Sequence, residues 1–257
     1  MTKNLITIRA LGDNFIYLFV YDDHNAIVVD PSDCNSVLSA LTLHDLKLQA
    51  ALITHHHFDH TAGVKALKKK TGCEIISSDP KRIAATDTTV NDSDILCFGE
   101  VKIRVIYTPG HTTTSVCYYA EPSARNQKGI VFTGDTLFTG GCGRMFECSE
   151  RIMWQSLQTI ADLPEETLIC PGHNYTIENY QFALTIDPQN EIILGCLNSV
   201  MENLVSNKPP VFTNIALEKQ TNIFLRSDNP EIKQAMSMAD ISPQEVFGVL
   251  RHMKDNF

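Results

Sequence analysis

The segment Thr54-His55-His56-His57-Phe58-Asp59-His60 concentrates side chains that bind metal ions. Side chains alternate along an extended backbone, so His55 and His57 point to the same side and two imidazoles can converge on one ion. Asp59 and His60 follow where the chain turns into a helix, and they can face a second ion. Two cations about 3.5–4 Å apart need this crowding of ligands, and a water that they share loses a proton near neutral pH. The segment therefore predicts a two-metal site.

Each residue of this segment also has an ordinary structural interpretation. Asp59 is a suitable N-cap, a histidine pair can lie on an exposed loop, and His56 is expected to point toward solvent or a supporting partner. We favour the metal site because imidazoles stacked at one strand end bring no packing advantage and would repel each other when protonated.

Three more polar residues share a setting at the end of a strand. His111 follows Thr108-Pro109-Gly110, Asp135 follows Thr133-Gly134, and His173 follows Pro171-Gly172. Taken singly, each is a turn or surface residue. Loops at strand ends, however, are where a rigid sheet can present ligands to one shared point.

The elements that must position these residues follow from local patterns of hydrophobic and turn-forming residues. Runs rich in β-branched and aromatic residues predict strands at 15–21, 26–29, 50–54, 74–77, 101–107, 115–119, 130–132 and 168–170. Helical spacing predicts helices at 36–46, with Leu48 a candidate extension, at 61–70 and at 153–160. Mixed elements with several consecutive strands indicate an α/β fold of layered sheets flanked by helices.

The last third of the chain is predicted to be helical. Ile193, Leu197, Val200 and Leu204 lie on one helix face, and Pro209-Pro210 is expected to end that segment. Ser242, Pro243 and Glu245 form a capping box for a terminal helix that runs to about Lys254. We therefore expect two domains, residues 1–173 and residues 174–257.

Composition excludes several classes of protein. With 43% apolar and 20% charged residues, the chain of 257 residues can bury a core, and a formal net charge of −9 gives no basic surface for nucleic acid. It has no run of about 18 apolar residues, so no contact with a membrane is expected. Eight cysteines without a C-x-x-C pair favour reduced thiols and a cytoplasmic location.

The motifs THHHFDH (54–60), TPGHT (108–112), TGDTLF (133–138) and PGHNYT (171–176), in this order, resemble the metallo-β-lactamase superfamily. Within it, GCGR (141–144) and the closing residues 251–257 are similar to the glyoxalase II, or hydroxyacylglutathione hydrolase, family, and the similarity spans nearly the whole chain. The resemblance implies a four-layer αββα sandwich followed by a smaller all-helical domain that binds glutathione.

The resemblance also assigns a role to each candidate ligand. It implies that one metal is bound by three histidines, the second by an aspartate and two histidines, and that a further aspartate bridges both. The implied first set is His55, His57 and His111; the second is Asp59, His60 and His173; the bridge is Asp135. Two divalent ions are implied; we expect zinc, with iron or manganese as alternatives, because nitrogen and oxygen ligands suit all three.

The implied reaction is hydrolysis of S-D-lactoylglutathione, or another S-2-hydroxyacylglutathione, to glutathione and D-lactate or the corresponding 2-hydroxy acid. It is the second step of methylglyoxal detoxification, with a metal-bridging hydroxide as nucleophile and Asp59 as acceptor of its remaining proton. The family's glutathione-binding positions fall on Arg144, Phe146, Tyr175, Arg251 and Lys254. Arg144 replaces a lysine and keeps the charge, whereas Phe146 replaces a tyrosine and lacks its hydroxyl donor.

Other functions remain alternatives. A persulfide dioxygenase shares the GCGR segment but lacks a long helical domain, and a metallo-nuclease is disfavoured by the acidic balance. Arg251 and Lys254 also fit a solvated basic helix end that favours the helix dipole. A non-enzymatic metal-binding protein would keep the fold, and only the complete ligand set argues against it. We expect a monomer whose partner is a small-molecule glutathione thioester.

Overall fold

A computed structural model describes residues 4–206 and 212–257 of the chain. It divides into two compact units, each built from three segments. The first unit comprises Met1–Tyr107, Thr114–Gly134 and Cys170–His173. The second unit comprises Thr108–Thr113, Asp135–Ile169 and Asn174–Phe257. The domain boundary between residues 173 and 174 stays a prediction.

The described residues form strands and helices throughout the chain. The strands are β1 (Leu5–Ala10), β2 (Asn14–Val20), β3 (Asn25–Val29), β4 (Lys47–Ile53), β5 (Glu74–Ser77), β6 (Thr88–Thr89), β7 (Ile95–Phe98), β8 (Val101–Tyr107), β9 (Val116–Ala120), β10 (Ile130–Gly134), β11 (Leu137–Phe138), β12 (Gly141–Cys142) and β13 (Leu168–Pro171). The helices are α1 (Cys34–Leu43), α2 (Phe58–Thr61), α3 (Val64–Thr71), α4 (Glu150–Ala161), α5 (Thr176–Ile186), α6 (Glu191–Val205), α7 (Ile215–Thr221), α8 (Pro230–Ala235) and α9 (Pro243–Asp255).

The first unit contains a six-stranded sheet in the order β1-β2-β3-β4-β5-β6. Strands β1 to β3 pair antiparallel, and β3 to β6 pair parallel. Side chains of β2 alternate between the two faces of this sheet. Ile16 and Leu18 pack on one face in a core with residues of α1 and α3, and Tyr17 and Phe19 are buried on the other face. The sheet is therefore buried on both sides, and its strand ends carry the loops of the site.

The second sheet has the strand order β13-β10-β9-β8-β7 and packs on the other face of the first sheet. The ring of Phe132 in β10 lies 5.5 Å from that of Tyr17 and 6.1 Å from that of Phe19, both in β2. Tyr118 in β9 donates its hydroxyl to the Ile53 carbonyl at 3.0 Å. These contacts fix the end of β4, after which the histidine segment begins.

The second unit is a set of helices with the short β11–β12 hairpin. The predicted capping box is confirmed, since Ser242 Oγ caps the Glu245 amide and the Glu245 side chain accepts from the Ser242 amide. The predicted apolar face of α6 is only partly right: Ile193 and Leu197 are buried, but Leu204 is 61% exposed. The pair Pro209-Pro210 lies outside the described residues.

Several predicted boundaries were wrong for identifiable reasons. Leu48 belongs to β4 rather than to the preceding helix, which ends at Leu43. The helix predicted at 61–70 begins only at Val64, as α3, because Ala62 and Gly63 separate it from the short α2. A Cβ on Gly63 would lie 2.4 Å from the Pro31 carbonyl oxygen. Among the described residues, no helix combines the length and the hydropathy needed to cross a membrane.

Candidate metal centre

The loop after β4 places His55 at the end of the first sheet. Thr54 Oγ1 donates to Asp30 Oδ2 at 2.7 Å and lies 3.0 Å from His55 Nδ1. Because the hydroxyl proton is used on Asp30, the same oxygen accepts the Nδ1 proton of His55. His55 therefore presents the lone pair of Nε2, which lies 3.1 Å from His57 Nδ1.

A second group of candidate ligand atoms lies in the same unit. Asp59 and His60 come from α2, and His173 comes from the turn after β13. The Nε2 atoms of His60 and His173 are 3.2 Å apart, and Asp59 Oδ2 is 3.7 Å from the first and 3.3 Å from the second. Three ligand atoms thus lie at the corners of a small triangle.

Two carboxylates fix the tautomers of these histidines. Asp30 Oδ2 is 2.9 Å from His60 Nδ1, and Asp13 Oδ1 is 3.0 Å from His173 Nδ1. An ionised carboxylate only accepts, so both Nδ1 atoms carry the proton and both Nε2 atoms present lone pairs. Asp30 is buried and has a φ of 50°, a left-handed conformation that is strained for a residue other than glycine.

His111 and Asp135 form a comparable pair in the second unit. Both are buried, and His111 Nε2 lies 3.4 Å from Asp135 Oδ2. The Arg144 carbonyl is 2.8 Å from His111 Nδ1, and since a carbonyl only accepts, the Nδ1 proton is held there. The lone pair of His111 Nε2 therefore faces the Asp135 carboxylate.

Two glycines allow close approach beside these ligands. A Cβ on Gly143 would lie 1.9 Å from the Asp135 carbonyl oxygen and 3.2 Å from His111 Nδ1. A Cβ on Gly134, whose φ is +47°, would lie 2.3 Å from Thr54 Oγ1. A side chain at 134 would therefore displace the Thr54 hydroxyl that orients His55, and one at 143 would displace the Asp135 backbone and crowd the His111 ring.

The donor sets in both units suit divalent metal ions. Nε2 lone pairs that face each other, or that face a carboxylate, repel unless a cation lies between them. Ligands of a tetrahedral ion with bonds of about 2.0–2.2 Å are separated by roughly 3.4 Å. The separation of 3.2 to 3.7 Å within Asp59, His60 and His173 fits that geometry, as does the 3.4 Å between His111 and Asp135. Imidazole and carboxylate without thiolate suit zinc, iron and manganese alike.

Three of the predicted glutathione-binding residues of the second unit are at least partly accessible to solvent. Arg144 is exposed, and its guanidinium lies 5.1 Å from the centre of the Phe146 ring. Phe146 is 57% exposed, and its ring is 5.1 Å from the imidazole of His111. Tyr175 is half-buried, with its ring 5.3 Å from that of Phe138. The ring of Phe146, with the Arg144 guanidinium over it, thus lies beside the imidazole of His111.

The two predicted cations of α9 differ from each other. Arg251 is buried: Nη1 donates to the Cys142 carbonyl at 2.8 Å, and Nη2 is 3.1 Å from Asp255 Oδ1. Lys254 is half-buried, with Nζ 3.3 Å from the Glu178 carbonyl, and burial lowers the pKa of its ammonium group. Arg251 therefore has structural partners, whereas Lys254 is the more accessible cation.

The sequence alone did not identify Asp13 and Asp30 as partners of the ligands. Both belong to turns next to strands, where aspartate is common, and Asp13 is separated from His173 by 160 positions. One usable signal was the Val28-Val29-Asp30-Pro31 pattern, which places a carboxylate at the end of a buried strand as at Asp135.

Comparison with known protein families matches residues 10–257 in two parts. The family model of the metallo-beta-lactamase superfamily matches residues 10–173, and the model named hydroxyacylglutathione hydrolase C-terminus matches residues 174–257. The predicted αββα fold with a helical C-terminal region is confirmed by these matches and by a similar solved structure, ETHE1 from Myxococcus xanthus. That structure is 25% identical with a TM-score of 0.67, and the match covers 98% of this chain and 90% of the other.

Curated relatives match over their full length. A protein of Rhodospirillum rubrum named hydroxyacylglutathione hydrolase is 41% identical, with 100% of this chain and 99% of the relative covered. One of the same name from Cereibacter sphaeroides is 37% identical with 100% of both covered. The chain therefore belongs to the hydroxyacylglutathione hydrolase family of the metallo-β-lactamase superfamily.

Proposed function

We propose that this protein hydrolyses the thioester of S-2-hydroxyacylglutathiones, with S-D-lactoylglutathione as substrate and glutathione and D-lactate as products. The carrying observation is the set of histidine and aspartate atoms whose lone pairs face one another at metal-ligand spacing. The full-length relationship to curated hydroxyacylglutathione hydrolases supports the choice of substrate. This reaction is the second step of methylglyoxal detoxification.

Seven side chains are proposed to hold two divalent ions, which we propose to be zinc. The proposed ligands of the first ion are His55, His57 and His111, those of the second are Asp59, His60 and His173, and Asp135 bridges both. The order of the motifs and the lone-pair geometry within each unit support this assignment. Such ions lower the pKa of a shared water and polarise the thioester carbonyl.

Metal binding through Nε2 requires that the proton of the histidine stays on Nδ1, and for two of the proposed ligands neighbouring carboxylates hold it there. Asp30 and Asp13 keep the Nδ1 protons of His60 and His173, so neither ring can turn its N–H toward the ligand side. Asn14 Nδ2 donates to the Asp59 carbonyl at 2.9 Å and orients that residue, whose side chain is 42% exposed. We propose that Asp59 accepts the proton of the attacking water, and its partly exposed side chain supports that role.

Residues of the second unit are proposed to bind the glutathione part. Arg144 offers an exposed guanidinium to a carboxylate, and Phe146 offers an apolar face beside His111. Tyr175 and Lys254 add a hydroxyl and a second cation. We propose residues 1–173 as the catalytic domain and residues 174–257 as the glutathione-binding domain. The reaction needs no dedicated general acid, because the thiolate of glutathione is a good leaving group.

The test combines metal analysis of the purified protein with hydrolysis of S-D-lactoylglutathione, followed by the thiol that is released. We expect two divalent ions per chain and rapid turnover in the wild type. His60→Ala is expected to lose the second ion and the turnover. A matched thioester of a short thiol without carboxylates is expected to react far more slowly. Oxygen uptake with glutathione persulfide, cleavage of nucleic acid, or metal binding without any turnover would each overturn the proposal.

A further inference from the structure

A buried polar network holds the β11–β12 hairpin of the second unit. The Glu218 side chain is fully buried, and the Gly140 amide donates to its Oε2 at 3.0 Å. Asn222, which follows α7, donates from Nδ2 to Glu218 Oε2 at 2.8 Å and to the Gly141 carbonyl at 3.0 Å. One carboxylate and one amide from the helical part of the chain thus bind Gly140 at the tip of the hairpin and Gly141 at the start of β12.

The hairpin connects two parts of the proposed metal centre along the chain. Asp135 lies just before β11, and Gly143-Arg144 follow β12 directly. The Arg144 carbonyl holds the Nδ1 proton of His111, and the Gly143 backbone lies against the Asp135 carbonyl. A shift of the hairpin tip would therefore move the group that orients the His111 ring toward Asp135.

We propose that Glu218 and Asn222 are positioning residues for His111 and Asp135, acting through the hairpin that they anchor. The inference rests on the proposed function, since it gives these two side chains a task in the metal centre. Neither Glu218 nor Asn222 is proposed to touch the metal or the substrate.

The electrostatics of Glu218 support a role other than stabilising the fold. Among the described residues, the titratable groups whose charge couples to Glu218 are Tyr180 on α5 and Cys196 on α6, and burial raises the pKa of both. Tyr180 and Cys196 ionise only to anions, and both are neutral near pH 7. Neither therefore supplies a positive charge that would compensate for the Glu218 carboxylate. A buried carboxylate without a cationic partner lowers stability, and proteins retain such groups where geometry requires them.

The decisive variants are Glu218→Gln and Asn222→Ala, with Glu202→Gln as the control. Glutamine keeps the shape but offers one acceptor oxygen where the carboxylate offers two, so its amide hydrogens face the Gly140 or Asn222 donors. Glu202 is an exposed carboxylate on α6 in the same unit, so its variant changes the net charge equally without touching the hairpin.

Three experiments use the full-length protein. Steady-state kinetics with S-D-lactoylglutathione and the rate of zinc release to a chromogenic chelator are measured on the zinc-loaded form, and the melting temperature is measured after zinc removal. We expect kcat to fall about 10-fold with KM within roughly 2-fold, and zinc release to accelerate about 10-fold. The zinc-free Glu218→Gln protein is expected to melt at or above the wild-type temperature at pH 8. The control should match wild type in all three.

Unchanged kcat and zinc release in both variants would overturn the inference. So would activity that falls only in proportion to lost stability, or failure of both variants to fold, because the network would then be a part of the core. If wild type does not hydrolyse the thioester but zinc release still separates the variants from the control, the proposed function fails and the positioning role stands.

Discussion

His60 and His173 face each other with their Nε2 atoms 3.2 Å apart, and each ring donates a hydrogen bond from Nδ1 to a different aspartate. The partner of His60 is Asp30, which is buried and also accepts from the Thr54 amide and hydroxyl. The partner of His173 is Asp13, whose side chain is 48% exposed. The two histidines are therefore held with unequal strength.

We predict that Asp30→Asn lowers metal affinity about 10- to 100-fold, and that Asp13→Asn has a smaller effect. Asp30 orients His60 directly and His55 through Thr54, whereas Asp13 orients only His173. Because Asp13 is half-exposed, a water molecule can take over its hydrogen bond to that ring. Metal content after dialysis against a series of chelator concentrations measures both. Equal losses in the two variants would contradict the inequality.

Asp135→Asn is predicted to remove more activity and more bound metal than His55→Ala or His173→Ala. Asp135 is proposed to bridge both ions and to offset the repulsion between them, while each histidine serves one ion. Elemental analysis and kcat on the same preparations provide the comparison. Two ions per chain with near-normal turnover in Asp135→Asn would show that this residue is not the bridge.

Lys254 and Arg251 are predicted to respond differently to replacement by alanine. Lys254→Ala should raise KM for the glutathione thioester on the order of 10-fold with little change in kcat, because a charged hydrogen bond to a remote carboxylate acts equally in ground and transition states. Arg251→Ala should lower the free energy of unfolding by about 2–3 kcal/mol, since it removes a buried guanidinium from the Cys142 carbonyl and Asp255.

The controls for this pair are a thioester without carboxylates and the exposed Lys219→Ala variant. Lys254→Ala should react with the uncharged thioester as wild type does, and Lys219→Ala should be normal on both substrates. An unchanged KM for the glutathione thioester in Lys254→Ala would remove this lysine from the binding site.

The pH dependence of stability is predicted to contain a contribution from Glu218. Burial raises the pKa of its carboxyl from 4.5 to about 7. Between these pH values the folded chain binds more protons at this group than the unfolded chain, so its contribution to the free energy of unfolding falls as the pH rises and is constant above about 7. At roughly 1.4 kcal/mol per pKa unit, the full loss is about 3 kcal/mol.

Urea unfolding of metal-free wild type and Glu218→Gln at pH 5 and pH 8 measures this contribution. Wild type should lose about 2–3 kcal/mol more than the variant over that interval. The ligand histidines are common to both proteins, so their titration cancels in the comparison. Parallel curves for the two proteins would show that Glu218 titrates normally.

The sequence predicted elements whose determinants are local. The capping box of Ser242 and Glu245 is confirmed, because a cap needs only residues three positions apart. The β11–β12 hairpin and the partner Asp13 were missed, since hairpins of two-residue strands carry no periodicity and the Asp13–His173 contact spans 160 positions. Leu204 was expected in the core but is exposed. Helical spacing identifies the apolar face of a helix, but it does not show how far along the helix that face is covered by other residues.

The candidate site shows the same division. Side chains that follow strands could be grouped because strand ends share an edge of a sheet, and the structure places Asp59, His60 and His173 together. The burial of Arg251 could not be foreseen, since spacing along α9 places it near Lys254 but does not reveal that the Cys142 carbonyl accepts its Nη1. The ligand assignments and the domain boundary stay predictions.

The contact between Gly134 and Thr54 makes residue 134 as intolerant of change as a ligand. A methyl group there would clash with Thr54 Oγ1, the oxygen that accepts the hydrogen bond from His55 Nδ1. In a library of random substitutions scored for growth in the presence of toxic methylglyoxal, Gly134→Ala should therefore show a growth defect as large as that of His55 substitutions. Substitutions at most other glycines should have smaller effects. A position without a side chain would then carry the genetic signature of a metal ligand.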